Sequence, residues 1–161
     1  MSDKEPQYIY PPTTLQQKVK ELPQGMEKIL LQQANEAILE MADEYLGWVI
    51  ADIDNLEAQC SMALKDPDNR ADHIQNLYLA AHEIKGQGGS FGYPLMTALG
   101  GHLCRYIETL DYKMTDGQLE VVKVCVDSMR LVIAERMEGD GGKMGEQLLK
   151  GLSAAIEKRS A

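Results

Sequence analysis

The chain has 161 residues, of which 44% are hydrophobic, 25% charged and only 6% aromatic, a balance that suits one globular domain with an aliphatic core and a charged surface. Sixteen basic against twenty-five acidic residues leave a net charge of −9, and no Lys/Arg cluster offsets it, which argues against nucleic acid as a partner. No apolar run approaches the roughly 20 residues that span a bilayer, and three scattered cysteines without a CxxC pair indicate neither a disulfide framework nor a zinc site, so the expectation is a cytoplasmic protein with no membrane partner.

The opening "MSDKEPQYIYPPTT" holds three prolines and no periodicity, and residues 1–13 read as a flexible leader. Thr13 and Thr14 each precede a glutamine by three residues, a capping-box spacing that opens a short helix carrying Leu15, Val19 and Leu22, ended by Pro23 and Gly25. From about Met26 to Lys65 apolar residues recur at helical intervals through Leu31, Ala34, Ile38, Met41, Tyr45, Val49, Ile53, Leu56, Cys60 and Ala63, predicting one long helix or two with a break near Asn35 or Gly47.

"KDPDNRAD" supplies a turn, and the next helix runs from about Asn69 into a cluster of glycines. Gly92 and Pro94 punctuate the chain before a helix marked by Leu95, Leu99, Leu103, Tyr106 and Leu110. Thr115 and Gln118 form a second capping box for a helix to about Met137, and "GDGGKMG" reads as a hinge before a last helix over about residues 146–158. These patterns predict an all-α fold, an antiparallel up-and-down four-helix bundle with extra short N- and C-terminal helices. The expected organisation is a single helical domain over residues 14–161 with its core at about 36–138.

The segment "AAHEIKGQGGSFG", Ala80 to Gly92, places Gly86, Gly88, Gly89 and Gly92 in one short span, although each glycine costs a helix roughly 1 kcal/mol relative to alanine. At about 100° per residue, Ile74, Leu77, Ala81, Ile84, Gly88 and Phe91 share the stripe that packs inward, and His82 lies roughly 120° from its centre. Gly86 and Gly89 fall within about 40° of His82, with Lys85 about 60° to one side. The glycines therefore clear the face of an exposed imidazole for the close approach of another macromolecule, while Gly88 faces the core. A neutral imidazole is nucleophilic at physiological pH. Lys85 adds a positive charge suited to phosphoryl oxygens.

The spacing H-x-x-K-G-x-x-G-x-x-G of His82, Lys85, Gly86, Gly89 and Gly92, followed by "YPLMTALGGHLCRYIE", resembles the histidine-containing phosphotransfer (HPt) domain of bacterial and eukaryotic phosphorelays. Gln87 departs from the small Ser or Ala that many members carry there. The resemblance implies that His82 accepts a phosphoryl group on Nε2, that Lys85 stabilises it, and that the partners are response-regulator receiver domains or a hybrid histidine kinase. Tyr78, Leu79, Gly86 and Gly89 form the expected partner-docking face, with Tyr78 and Leu79 as its apolar anchor. No acidic cluster accompanies His82, so the chain is expected to be a phosphocarrier without its own catalytic centre or cofactor, the magnesium residing on the receiver.

The alternative is a helical binding module that docks the same partners without phosphate turnover. His73, near a helix start, reads as a solvated or capping residue, and His102 as a half-buried packing histidine. No two histidines have the i, i+4 spacing of a helical metal site.

Overall fold

The computed structural model describes Pro23 and residues 25–160. The leader and the short helix expected after Thr13 or Thr14 lie outside the described residues. Among those described are six α-helices and no strand: α1 Met26–Glu40, α2 Ala42–Lys65, α3 Arg70–Gln87, α4 Pro94–Thr109, α5 Asp116–Ala134 and α6 Gly142–Ser160. The chain divides into two compact units, Met1–Ala37 and Ile38–Ala161.

In the first unit Met26, Ile29, Leu30 and Leu31 of α1 are all exposed. In the second, the apolar stripe predicted from Leu31 onward is buried only from Tyr45, continuing through Val49, Ile53, Leu56, Cys60 and Ala63. The helix break falls at Met41 and not at Asn35 or Gly47; no side-chain cap marks it, and the apolar period runs through it unchanged.

Within the second unit α3 packs on α2 and α4, α5 packs on α2 and α4, and α6 packs on α4 and α5. The amphipathic period explains the core that results. Ile74, Leu77, Ala81 and Ile84 of α3 meet Leu95, Leu99, Leu103 and Ile107 of α4, and Leu119, Val122, Val126, Met129 and Val132 of α5.

Side chains fix the connections. Arg70, the first residue of α3, donates through Nε to Ala63 O at 2.8 Å, through Nη1 to Met114 O at 3.2 Å and through Nη2 to Asp116 Oδ1 at 2.7 Å. One planar guanidinium thereby holds the end of α2 and the start of α5 in register with α3. The predicted capping box opens α5: Thr115 Oγ1 accepts from the Gln118 N–H at 3.4 Å, and Gln118 Oε1 accepts from the Thr115 N–H at 2.9 Å. Two of the donors that every helix start leaves unpaired are thus satisfied.

The glycine tract before α6 differs from the hinge expected of it. The helix begins at Gly142, inside the tract, and Gly145 is buried. A Cβ on Gly141, whose φ is +69°, would stand 2.7 Å from Leu95 Cδ2, and one on Gly145 would collide with Asp140 O. The glycines here admit the close packing of chain on chain that a side chain would prevent. Leu152 of α6 is then buried, and the α6 end is tied to α5 by Gln118 Nε2 donating to Arg159 O at 3.4 Å.

Candidate functional site

Helix α3 has two opposed faces. Ile74, Leu77, Ala81 and Ile84 are all 0% exposed and Gly88 is buried with them, whereas His82, Lys85 and Gly86 are exposed. Phe91 sits at the edge of the packed stripe, half-buried and stacked on Tyr45 with ring centroids 4.5 Å apart.

The glycines sort by the same division. A Cβ on Gly88 would stand 2.8 Å from Tyr93 O and 2.9 Å from Thr97 N, and one on Gly100 of α4 would stand 2.9 Å from both Ala81 O and Lys85 N. These two bring α3 and α4 into backbone contact directly behind His82. By contrast a Cβ on Gly86 would meet nothing within 4 Å, and one on Gly89 only Thr97 Oγ1 at 3.6 Å. Gly89 lies beyond the end of α3, where its N–H donates to Thr97 Oγ1 at 2.9 Å. Gly86 is therefore the open glycine within the helix, and Gly89 belongs to the turn that follows it.

Around the imidazole, Tyr78 and Leu79 occupy the preceding turn. Leu79 is 52% exposed. Tyr78 is half-buried and its ring stacks on His82, centroids 6.1 Å apart at 30°. Its hydroxyl donates to Glu108 Oε1 at 2.7 Å, which holds the Tyr78 phenol up at about 12 against an ordinary 10.0, because ionisation would destroy the bond and set a phenolate beside a carboxylate. Lys85 forms no ion pair with any described residue, so its ammonium charge is uncommitted at the surface. Beneath this face burial raises the Cys104 thiol, an effect that the charge of Lys85 partly opposes. On the α2 side burial raises the Asp52 carboxyl, helped by the negative charge of Glu83.

The remaining histidines are placed otherwise. His73 Nδ1 lies 3.0 Å from Gln59 Oε1 of α2, a cross-helix hydrogen bond in place of the solvated or capping role expected. His102 is half-buried on α4. Among the described residues no group of three or more His, Cys, Asp or Glu side chains is placed to hold a metal ion, and no helix is long and apolar enough to cross a membrane.

Sequence reasoning missed Gly100, Glu108 and Tyr112. Gly100 could have been noticed as half of a Gly-Gly pair inside an apolar helix stripe. Glu108 stands 30 residues from Tyr78, and no local pattern announces that pairing.

No family model, no curated protein and no solved structure matches this chain.

Proposed function

We propose that this chain is a cytoplasmic histidine phosphotransfer protein of a two-component phosphorelay, in which His82 receives a phosphoryl group from one receiver-domain aspartate and passes it to another. The observation that carries this reading is the pairing of an exposed His82 with an open Gly86 on the same surface of a helix whose other side is wholly buried. A surface of that shape admits a partner's backbone to the imidazole. The fold that goes with it is an antiparallel up-and-down bundle of α2 to α5, supported by the closed order of neighbours α2–α3, α3–α4, α4–α5 and α5–α2.

In the transfer the Nε2 lone pair of neutral His82 attacks the phosphorus of an aspartyl phosphate. The N–P bond forms as the P–O bond breaks, and that electron pair leaves with the receiver's carboxylate. Lys85 turns its free ammonium toward the equatorial oxygens, where charge gathers in the transition state. The divalent cation of this chemistry belongs to the receiver, whose aspartate pocket closes over His82.

Incubation with a receiver domain carrying labelled aspartyl phosphate tests the reading. Label should appear on the chain, be lost in mild acid and survive base, as a phosphoramidate does. Receiver binding with no transfer under any condition would instead identify the docking module. A base-labile, acid-stable label would place the phosphate on a hydroxyl.

A further inference from the structure

Tyr78 precedes His82 by one helical turn, which puts both side chains on one face of α3. Among the described residues no hydrogen bond or ion pair holds the imidazole itself, and the ring stacked beside it is that of Tyr78. The phenol ring, in contrast, is held from two sides. Glu108, in the last turn of α4, accepts its hydroxyl proton at 2.7 Å, and Tyr112 meets it edge-on, centroids 5.4 Å apart at 67°.

Tyr112 is set there by an uncommon backbone. Asp111 and Tyr112 have φ of +48° and +56°, a left-handed region that non-glycine residues enter rarely and under strain. The turn is closed by the Tyr112 N–H donating to Ile107 O at 3.3 Å and the Lys113 N–H to Leu110 O at 2.8 Å. Strained backbone, a carboxylate from a second helix and two aromatic rings thus converge on one side of an otherwise unheld imidazole.

We propose that Tyr78, braced by Glu108 and Tyr112, is a positioning residue for His82: it confines the imidazole to a narrow set of orientations and lays an aromatic face against the ring that becomes cationic on phosphorylation. This rests on the phosphotransfer reading of His82 and deepens it, since docking alone would give Tyr78 a role toward the partner and none toward the imidazole. Nδ1 keeps its hydrogen while Nε2 gains the phosphoryl group, so the product ring carries a positive charge that it did not have before. A side chain confined to one of three staggered wells gains up to about threefold in reactive population, and a cation over an aromatic face at an exposed site gains roughly two- to fivefold.

A small phosphodonor separates positioning from docking because it has no surface to dock. With zwitterionic phosphoramidate, the donor's P–N bond breaks as the His82 Nε2–P bond forms, and the electron pair leaves with ammonia. The rate of His82 modification in the full chain, followed by phosphorus NMR, should fall about five- to tenfold in Tyr78→Leu and by less in Tyr78→Phe, which keeps the ring but loses its bond to Glu108. An unchanged rate in Tyr78→Leu overturns the proposal. Three-bond couplings of the His82 side chain give a reading that needs no phosphate: one rotamer in the parent and averaging in Tyr78→Leu support positioning, and averaging already in the parent overturns it.

If Tyr78→Leu fails to fold, Glu108→Ala at an exposed position releases the same ring. Averaged His82 couplings and a slower reaction with phosphoramidate in that variant support the proposal, and a single rotamer with the parent's rate overturns it. Should the parent take no phosphate at His82 from phosphoramidate or from any receiver, the phosphotransfer reading falls, and the couplings decide the positioning of His82 by themselves.

Discussion

Gly100 of α4 lies so close to Lys85 of α3 that a Cβ would stand 2.9 Å from the Lys85 backbone nitrogen and 3.0 Å from its Cβ. The residue behind the site is thus as constrained as the residues in front of it are free. Both partners at the short contacts are main-chain or first side-chain atoms, which cannot swing away. Gly100→Ala should therefore cost about 1–3 kcal/mol, as overpacking of a filled core does, and the loss should appear as a lower Tm in thermal unfolding followed by circular dichroism. A Tm equal to that of the parent would mean that α4 is not seated on α3 as described.

Gly86 supports the opposite expectation. It lies inside α3 with nothing within 4 Å of the place a Cβ would take, so Gly86→Leu should gain up to about 1 kcal/mol from helix propensity. The same side chain would stand one turn from His82 and hold a receiver's aspartate away. A misplacement of about 1 Å can cost on the order of a hundredfold in rate. The expected variant is at least as stable as the parent, nearly inactive with a phosphorylated receiver, and still modified at His82 by phosphoramidate. Normal transfer from the receiver would show that the open glycine face has no part in close approach.

The three histidines should separate by role. His82→Gln should abolish labelling and leave Tm nearly unchanged, since exposed positions contribute within about 0.5 kcal/mol. His73→Leu, which removes the hydrogen bond to Gln59 Oε1, should lower stability by about 1 kcal/mol while labelling persists. His102→Gln should also accept phosphate. Loss of labelling in folded His73→Leu or His102→Gln, with retention in His82→Gln, would move the acceptor.

The Tyr78–Glu108 bond has a pH signature. Its phenol is held at about 12, above the ordinary 10.0, chiefly by the hydrogen bond to Glu108. Folding therefore favours the protonated form. The stability this contributes is complete below about pH 10 and disappears as pH rises through about 12. Glu108→Ala, which removes the acceptor, should bring the midpoint down toward the usual tyrosine value of about 10, so that near-ultraviolet absorbance at about pH 11 shows most of one more phenolate than in the parent. Equal phenolate content in the two proteins at that pH would show that the bond does not form.

Much of this molecule was legible in local patterns. The 3.6-residue period marked the buried residues from Tyr45 to Ala63, those of α3 and those of α5, because each helix must hide one stripe wherever it packs. Thr115 and Gln118 announced their capping box because its partners are three residues apart. His82 and Gly86 fell on the exposed face by angle alone.

What the tertiary structure decided depends on contacts between residues distant in sequence. The helix break at Met41 interrupts an apolar period that runs straight through it. The tract at Gly141 to Gly145 packs against Leu95 and begins a helix, although glycine content alone suggests a hinge. Gly100 approaches Ala81 and Lys85, and Glu108 and Tyr112 reach Tyr78 beside His82. Periodicity specifies which face of a helix is buried, since that face recurs along one chain segment. It does not specify which residue of another helix arrives there, because the register of two packed helices is set by the volumes and hydrogen bonds of both together.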